Sequence, residues 1–163
     1  MAKILAIYGS KYGSTKEIVE TLAKELENLK LITPAEFVRE DKDYECVLIA
    51  SGIYAEEIHP EIVNFVDKNE RWLKQKKIIL LGVCLAGQRG ISYLDKLKKK
   101  LGSCIIWVGM AKGRLILNRL GEEDFTMMKI FANKVKMPFI DRDFIDPEEL
   151  LDISSQINTI MKV

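Results

Sequence analysis

The chain has 163 residues, of which 48% are hydrophobic and 30% are charged. This length predicts one domain over residues 1–163, and the composition excludes intrinsic disorder and collagen-like repeats. The net charge of +1 and the single histidine exclude a polycationic nucleic-acid binder and every multi-histidine metal site.

The N-terminus and the cysteines indicate a compartment. The first apolar stretch ends at Gly9, so it lacks the longer apolar core and the cleavage site of a signal peptide. No stretch reaches the roughly 20 apolar residues that cross a membrane. The three cysteines lie inside apolar runs, which fits a reducing compartment better than a disulfide framework. We therefore expect a soluble cytoplasmic protein.

Short apolar runs alternate with segments of helical periodicity. The nearly continuous runs predict strands buried on both faces, and they cover residues 4–8, 46–50, 78–84 and 104–110. A weaker strand is predicted near residues 35–39. Helices are predicted over residues 15–29, 60–73 and 92–101 and from Asp146 onward, with a capping box at Ser14 and Glu17 for the first. This alternation predicts an α/β fold with a parallel sheet.

The segment over residues 112–138 is too long for an ordinary loop. Its second half has apolar residues at helical spacing, namely Phe125, Met128, Phe131 and Val135. We therefore expect an insertion after the fifth strand, with a helix that carries these side chains on one face.

The first candidate site follows the first strand. Hydroxyl groups at Ser10, Ser14 and Thr15 lie beside Gly13, directly before the first helix. A helix N-terminus offers free N–H groups and a partial positive charge, so the pattern predicts a phosphate cradle. The alternative is a serine-capped loop that binds nothing. The spacing of Gly9 and Gly13 does not fit a P-loop, and the dinucleotide pattern G-x-G-x-x-G is absent.

Two later loops are expected at the same edge, because doubly wound sheets bind ligands beyond the carboxyl ends of their strands. The second loop contains Ser51, Gly52, Ile53 and Tyr54. Its tyrosine ring can stack on a planar ligand, or it can simply cover apolar surface. The third loop offers glycines and small residues, and its candidate contacts are Cys84, Leu85, Ala86, Gly87, Gln88 and Gly90.

Cys84 and His59 have side chains with nucleophilic or acid–base chemistry. Cys84 followed by Arg89 suggests a thiol phosphatase, but such enzymes place five residues between the cysteine and the arginine, and here there are four. This spacing disfavours a nucleophilic cysteine, so Cys84 is predicted to be a small packing residue. His59 precedes Pro60 and is predicted to be a capping or surface residue. We expect no catalytic protein nucleophile and no metal site.

These features resemble the flavodoxin family. Flavodoxins carry a T/S-x-T-G-x-T pattern that wraps the phosphate of FMN, and here it stands as Ser10-Lys11-Tyr12-Gly13-Ser14-Thr15, with Tyr12 where a threonine is usual. The resemblance implies a three-layer sandwich with a five-stranded parallel sheet in the order 2-1-3-4-5. It also implies noncovalent FMN, with the phosphate on this motif and the ring framed by the second and third loops.

The segments over residues 8–18 and 49–54 look most similar to the flavodoxin-domain branch that includes the menaquinone-dependent protoporphyrinogen dehydrogenases. That branch also carries an insertion near the fifth strand. The resemblance therefore implies electron transfer, either as a carrier for a redox partner protein or as an FMN-dependent oxidoreductase with a small organic or quinone substrate. Protoporphyrinogen oxidation is one such activity. The alternative is a flavodoxin-fold binding or regulatory module without flavin.

The chain departs from flavodoxins in its charges and in its third loop. Flavodoxins are usually strongly acidic. Here, residues 36–61 contain eight acidic and two basic residues, whereas residues 96–119 contain seven basic and no acidic residues. Such blocks are usually solvated faces, but the segment over residues 112–138 could dock an acidic partner, an anionic membrane surface or a hydrophobic substrate. The third loop has no aromatic residue, so a flavin is expected to be stacked on one side only.

Overall fold

Five parallel strands form the central sheet of the computed structural model, which describes residues 3–162. The strands are β1 (Ile4–Gly9), β2 (Leu29–Ile32), β3 (Cys46–Tyr54), β4 (Lys77–Cys84) and β5 (Ile105–Lys112). Their order is β2-β1-β3-β4-β5, which is the order that the resemblance to flavodoxins implies. A two-residue strand, Glu57–Ile58, pairs antiparallel with the end of β3.

Helices cover both faces of this sheet. They are α1 (Ser14–Glu25), α2 (Pro60–Leu73), α3 (Asp95–Leu101), α4 (Glu122–Lys134) and α5 (Pro147–Met161). Side chains of α2 and α3 pack in one apolar core, and those of α1 and α5 pack in the other. The three-layer α/β sandwich predicted from the sequence is therefore confirmed.

Strand β3 shows why the apolar runs are continuous. Val47 and Ile49 belong to the core under α2 and α3, whereas Leu48 and Ala50 belong to the core under α1 and α5, and all four are at most 1% exposed. Successive side chains of a strand point to opposite faces. A strand covered by helices on both faces must therefore be apolar at every position.

The predicted strand near residues 35–39 is wrong. The edge strand is β2, and short 3₁₀ turns over Pro34–Glu36 and Arg39–Asp43 follow it. The predicted first helix ran to residue 29, but α1 ends at Glu25 and Asn28 has a φ of 58°. Strand β2 is at the edge of the sheet and is only partly buried. Its apolar residues continue the helical spacing of α1, so the sequence pattern does not show where the helix ends.

The boundaries of the other helices depend on local capping. Asp146 accepts the N–H of Glu148 at 3.0 Å, and His59 Nδ1 accepts the N–H of Glu61 at 3.1 Å, so both predicted caps are confirmed. The capping box predicted for α1 is wrong, because Gly13 is its N-cap. Helix α3 is shorter than predicted, since a 3₁₀ segment over Gly87–Leu94 precedes it. Within residues 3–162, no helix is long and apolar enough to span a bilayer.

Residues 113–146, which we call the roof, connect β5 to α5. The roof contains α4 and a small antiparallel pair of strands, Arg114–Leu115 with Arg142–Asp143. The helical second half predicted for the insertion is thus observed. Met128 and Ala132 are the buried residues of α4, whereas Ile130 is 65% exposed. The roof therefore packs through one narrow stripe of α4.

Candidate functional site

The order of the strands places the candidate site between β1 and β3. The chain leaves β1 toward β2 on one side and returns to β3 on the other. Loops at the carboxyl ends of two such strands diverge, and the crevice between them is where doubly wound sheets bind ligands. Ser10 follows β1 and Ala55 follows β3. The segments singled out in the sequence after the first and third strands therefore lie at the same crevice.

The loop after β1 is built as a cradle at the start of α1. Gly13 has a φ of 94°, a left-handed conformation that a glycine adopts without a steric penalty. Its N–H donates to Ser10 Oγ at 3.1 Å, which closes the loop before the helix. The first N–H groups of any helix have no carbonyl acceptor within that helix. The loop therefore presents unpaired donors and the positive end of the α1 dipole.

Thr15 supplies a polar atom that the fold itself leaves without a partner. Its side chain is fully buried, and its Oγ1 has no hydrogen-bond partner among the described residues. A Cβ at Gly52 would lie 2.9 Å from this oxygen, so the glycine makes the close approach of β3 possible. A buried hydroxyl without a partner costs free energy unless a ligand satisfies it. Thr15 thus fits the role of a phosphate donor.

Tyr54 lies against the first loop. Its hydroxyl accepts the N–H of Lys11 at 3.2 Å, and its ring meets Tyr12 edge-on with centroids 6.0 Å apart. Burial raises the pKa of the Tyr54 hydroxyl, although the N–H groups of the first loop oppose this rise. The predicted stacking of Tyr54 on a planar ligand remains a prediction, and the hydroxyl is already in contact with the cradle.

Ser51 and Gly52 are part of strand β3, so the loop predicted to begin at Ser51 begins only after Tyr54. The Ser51 hydroxyl is buried, donates to the Gly52 carbonyl and accepts the N–H of His59, both at 2.9 Å. It therefore ties β3 to the start of α2. Burial lowers the pKa of His59, which keeps its Nδ1 neutral and able to accept at the helix cap.

An ion pair joins the first loop to the roof. Asp124, in the first turn of α4, lies 2.5 Å from Lys11 Nζ and accepts a hydrogen bond from the Tyr12 hydroxyl. The Tyr12 hydroxyl also accepts the N–H of Gly121 at 3.1 Å. The Lys11 and Tyr12 bonds hold the pKa of Asp124 below its usual value. We call this cluster the latch; Tyr12, the residue that departs from the flavodoxin motif, is its centre.

A second ion pair reinforces the same attachment. Arg114 in the roof lies 2.7 Å from Glu17 on α1 and 3.0 Å from Asp143 in the roof. The sequence suggests that Glu17 caps α1, but the carboxylate instead holds the roof beside the helix that starts the cradle. The distance in sequence between Glu17 and Arg114 explains why local pattern reasoning did not find this pair.

Beside the cradle lies a cavity of about 470 Å³ between the sheet and the roof. Its walls come from the turn after β3, from the end of β4 with the 3₁₀ segment that follows, and from the roof. The residues that line it are Ile53, Ala55, Glu56, Cys84, Leu85, Ala86, Arg89, Tyr93, Met128, Phe131, Val135, Lys136, Met137, Pro138, Arg142 and Phe144. Cavities of this size hold small organic ligands and cofactors.

A smaller pocket of about 30 Å³ lies between the cradle and this cavity. It is lined by Ser14 and Tyr54 on the cradle side and shares Ile53, Cys84 and Met128 with the large cavity. The cradle and the cavity are therefore adjacent, as a ligand with an anionic end at Ser14 and a planar end in the cavity requires. The two predicted parts of the site, phosphate loop and ring-framing loops, meet in this way.

The third predicted loop contributes only in part. Cys84, Leu85 and Ala86 line the cavity, where a bound cofactor would contact them. Gly87, Gln88 and Gly90 are not among the lining residues, and their contact with a cofactor remains a prediction. Burial raises the pKa of the Cys84 thiol, which weakens it further as a nucleophile.

The sequence does not predict that Tyr93 and Arg142 line the cavity. Tyr93, from the 3₁₀ segment, lines the cavity although the third loop itself has no aromatic residue. Phe131 and Met128 belong to the apolar α4 face that the sequence does show. Arg142 carried no sequence signal, because only the pairing of Arg142–Asp143 with Arg114–Leu115 brings it back over the sheet.

The chain is similar to known proteins in sequence and in fold. A sequence model of the family described as flavodoxin domain matches residues 5–139. No match was found among curated protein sequences.

Three solved structures illustrate the likeness in fold. Reduced flavodoxin from Megasphaera elsdenii has a TM-score of 0.57 at 16% identity, over 80% of this chain and 98% of that one. The FMN complex of a flavoprotein from Lactobacillus acidophilus has 0.57 at 15%, over 68% and 93%. Oxidised flavodoxin 1 from Bacillus cereus has 0.54 at 18%, over 83% and 98%.

Proposed function

Because the chain belongs to the flavodoxin family, we propose that it binds FMN noncovalently and transfers electrons through it. The observation that carries this proposal is the Thr15 hydroxyl, which lies at the start of α1, is buried and has no hydrogen-bond partner within residues 3–162. A phosphate there would accept this hydroxyl and the first N–H groups of the helix, and would lie at the positive end of the helix dipole. FMN, when bound, supplies the redox chemistry.

Different residues of the chain would hold the phosphate and the ring of this cofactor. The phosphate contacts that we propose are Ser10, Gly13, Ser14 and Thr15, and Lys11 and Tyr12 complete the cofactor-binding loop. The strand end with Ser51, Gly52, Ile53 and Tyr54 and the segment with Cys84, Leu85, Ala86, Gly87, Gln88 and Gly90 would frame the ring. The apolar residues at the sheet side of the cavity, such as Ile53 and Leu85, would exclude water from the planar end of the ligand.

The test compares FMN with riboflavin, which lacks the phosphate. We expect Thr15→Val and Ser14→Ala to weaken FMN by about tenfold or more each, because a bond to a charged group is lost, and to leave riboflavin nearly unchanged. Thr21→Val is the matched control, since this threonine lies further along α1 and donates to the Glu17 carbonyl. Flavin fluorescence quenching measures all the affinities.

Two outcomes would contradict the proposal. Equal losses for FMN and riboflavin would place the phosphate elsewhere. A wild-type protein that neither turns yellow nor quenches FMN at micromolar concentrations would favour the alternative, a binding or regulatory module without flavin.

Within electron transfer, the roof favours an oxidoreductase over a carrier for a partner protein. A carrier must present its flavin edge to a partner, whereas Met128, Phe131 and Phe144 of the roof line a cavity of about 470 Å³ together with the ring-framing residues Ile53, Cys84, Leu85 and Ala86. We therefore propose a small organic or quinone substrate. A redox partner protein as the faster electron acceptor in stopped-flow reoxidation would contradict this choice.

The finer assignment, to the branch with the menaquinone-dependent protoporphyrinogen dehydrogenases, is supported by the place of the roof after the fifth strand. Oxidation of protoporphyrinogen by the FMN-loaded protein with a menaquinone analogue would support it. Flavin that is reduced by other donors but not by protoporphyrinogen would contradict it. A cytoplasmic location is likewise proposed, supported by the free thiols of Cys46, Cys84 and Cys104.

A further inference from the structure

The cavity has an excess of positive charge on its walls. Three cations line it, Arg89, Lys136 and Arg142, against a single carboxylate, Glu56. None of the three cations forms an ion pair with a carboxylate anywhere in residues 3–162. By contrast, Lys11 and Arg114 beside the cradle are each paired, with Asp124 and Glu17 respectively. The cavity wall therefore presents three cations that no carboxylate of residues 3–162 neutralises.

Arg142 stands out among these cations because its Nε is buried and has no hydrogen-bond acceptor within the described part of the chain. Its backbone is fixed by pairing with Leu115, and its guanidinium lies 5.7 Å from the centre of the Phe144 ring. An N–H that is shielded from water and unpaired costs free energy unless a ligand accepts it. A carboxylate is the acceptor that a guanidinium matches best, with two oxygens for two parallel N–H groups.

The rest of the cavity wall is apolar and partly aromatic. The roof contributes Met128, Phe131, Pro138 and Phe144, and the segment after β4 contributes Tyr93. Methionine and aromatic side chains pack well against flat ring systems. The wall thus combines a surface for a planar apolar body with a cationic group for one charged end.

From these observations, we infer that the roof side of the cavity binds an aromatic carboxylate, next to the sheet side that would frame the flavin, with the anionic group on Arg142 and the ring system against Phe131 and Phe144. The inference rests on the proposed function, because it names the substrate class that would lie beside FMN under the roof. Arg89 and Lys136 make the wall electropositive and steer the anion toward Arg142. Glu56, at the turn after β3, supplies the carboxylate of this wall.

The test uses two probes of nearly equal shape, naphthoate and its neutral analogue naphthamide, titrated calorimetrically into the FMN-loaded full chain. Wild type should prefer naphthoate by about tenfold or more, as expected for one bond to a charged group in a shielded place. Arg142→Met should bring the two affinities to within about threefold and leave naphthamide binding nearly unchanged. Arg119→Met is the matched control, since this exposed roof residue does not line the cavity and should keep the full preference.

The flavin affinity of every variant is measured in the same preparations by fluorescence quenching, so failure of FMN binding is recognised separately from failure of this inference. Equal binding of the two probes by wild type would overturn the inference. Release of FMN by naphthoate would also overturn it, because the anion would then compete for the place of the flavin. A third contrary outcome is an Arg142→Met variant that lowers the flavin midpoint potential but keeps the naphthoate preference, since Arg142 would then serve the reduced flavin.

Discussion

The sheet and the roof are built on different physical principles. Strand β3 is held by apolar burial on both faces, and Ile49 at its centre is 1% exposed. The roof buries little, with Ile130 of α4 65% exposed, and it is attached by polar contacts such as those of Arg114 and Asp124. The candidate site lies between these two regions. It therefore has a floor fixed by packing and a cover fixed by a few charged groups.

This contrast teaches how the two halves of the site are coupled. The latch connects the phosphate loop directly to the first turn of α4 through Lys11, Tyr12 and Asp124. A change in the roof is therefore expected to reach the cradle without passing through the apolar core. For the same reason, deleting residues 112–138 would disturb the phosphate loop as well as the cavity. Point substitutions separate the two effects better.

The largest expected effect contrasts the two regions with a matched pair of isoleucines. Ile49→Ala should lower the free energy of unfolding by about 3–4 kcal/mol, because it leaves a cavity in a packed core. Ile130→Ala should change it by less than about 0.5 kcal/mol, because the side chain is mostly in water. Chemical denaturation measures both. A loss above about 2 kcal/mol for Ile130→Ala would mean that the roof is packed as firmly as the sheet.

The next effect tests the latch. Asp124→Asn should weaken FMN binding by about fivefold, because Lys11 and Tyr12 lose the carboxylate that positions the phosphate loop. Glu123→Gln, its exposed neighbour, is the control and should bind FMN like wild type. The measurement is the FMN dissociation constant by fluorescence quenching.

The pH dependence of the latch has a definite sign. The pKa of Asp124 is lowered in the fold, so the stabilisation is complete above its unfolded pKa of about 3.9 and is lost as the pH falls through the lower folded value. The effect of Asp124→Asn should thus be constant from about pH 5 to 8. An effect that grows within that range would assign the coupling to another group.

A smaller effect concerns His59 at the start of α2. Burial lowers the pKa of this imidazole, so its capping contribution is present above the unfolded pKa of about 6.5 and is lost as the pH falls toward the folded value. His59→Asn keeps a capping acceptor without titrating. From about pH 7.5 to 5.5, wild type should lose roughly 0.5–1 kcal/mol relative to this variant. Parallel pH profiles of the two melting temperatures would contradict the assignment.

The smallest expected effect lies at the turn between β3 and the strand Glu57–Ile58, at the edge of the cavity. Ala55 has a φ of 48°, a conformation that a Cβ disfavours by roughly 1–2 kcal/mol. Ala55→Gly should therefore stabilise the protein by about 0.5 kcal/mol after the entropic cost of glycine. The control is Ala86→Gly. Ala86 lines the same cavity but has an ordinary φ of −72°, so this substitution should destabilise the protein. Both changes are measured by thermal unfolding.

Local patterns predicted the parts of the site that depend on neighbouring residues. Gly13, Ser14 and Thr15 predict the cradle because glycine conformation and helix capping act within one turn. The apolar runs predict the buried strands for a similar reason, since burial on both faces requires an apolar residue at every position of a strand. The position of the edge strand β2 is not predicted, because the residue pattern of a half-buried strand resembles that of a helix end.

The cradle and the layered α/β core are thus what the sequence by itself determined about this protein. Only the tertiary structure decided which side chains close the site, because Tyr12 meets Asp124 and Arg142 returns over the sheet through contacts between residues far apart in the chain. Such contacts depend on where the roof folds back, and no local periodicity records that path. The chemistry of the cavity therefore depends on where the roof folds back over the sheet.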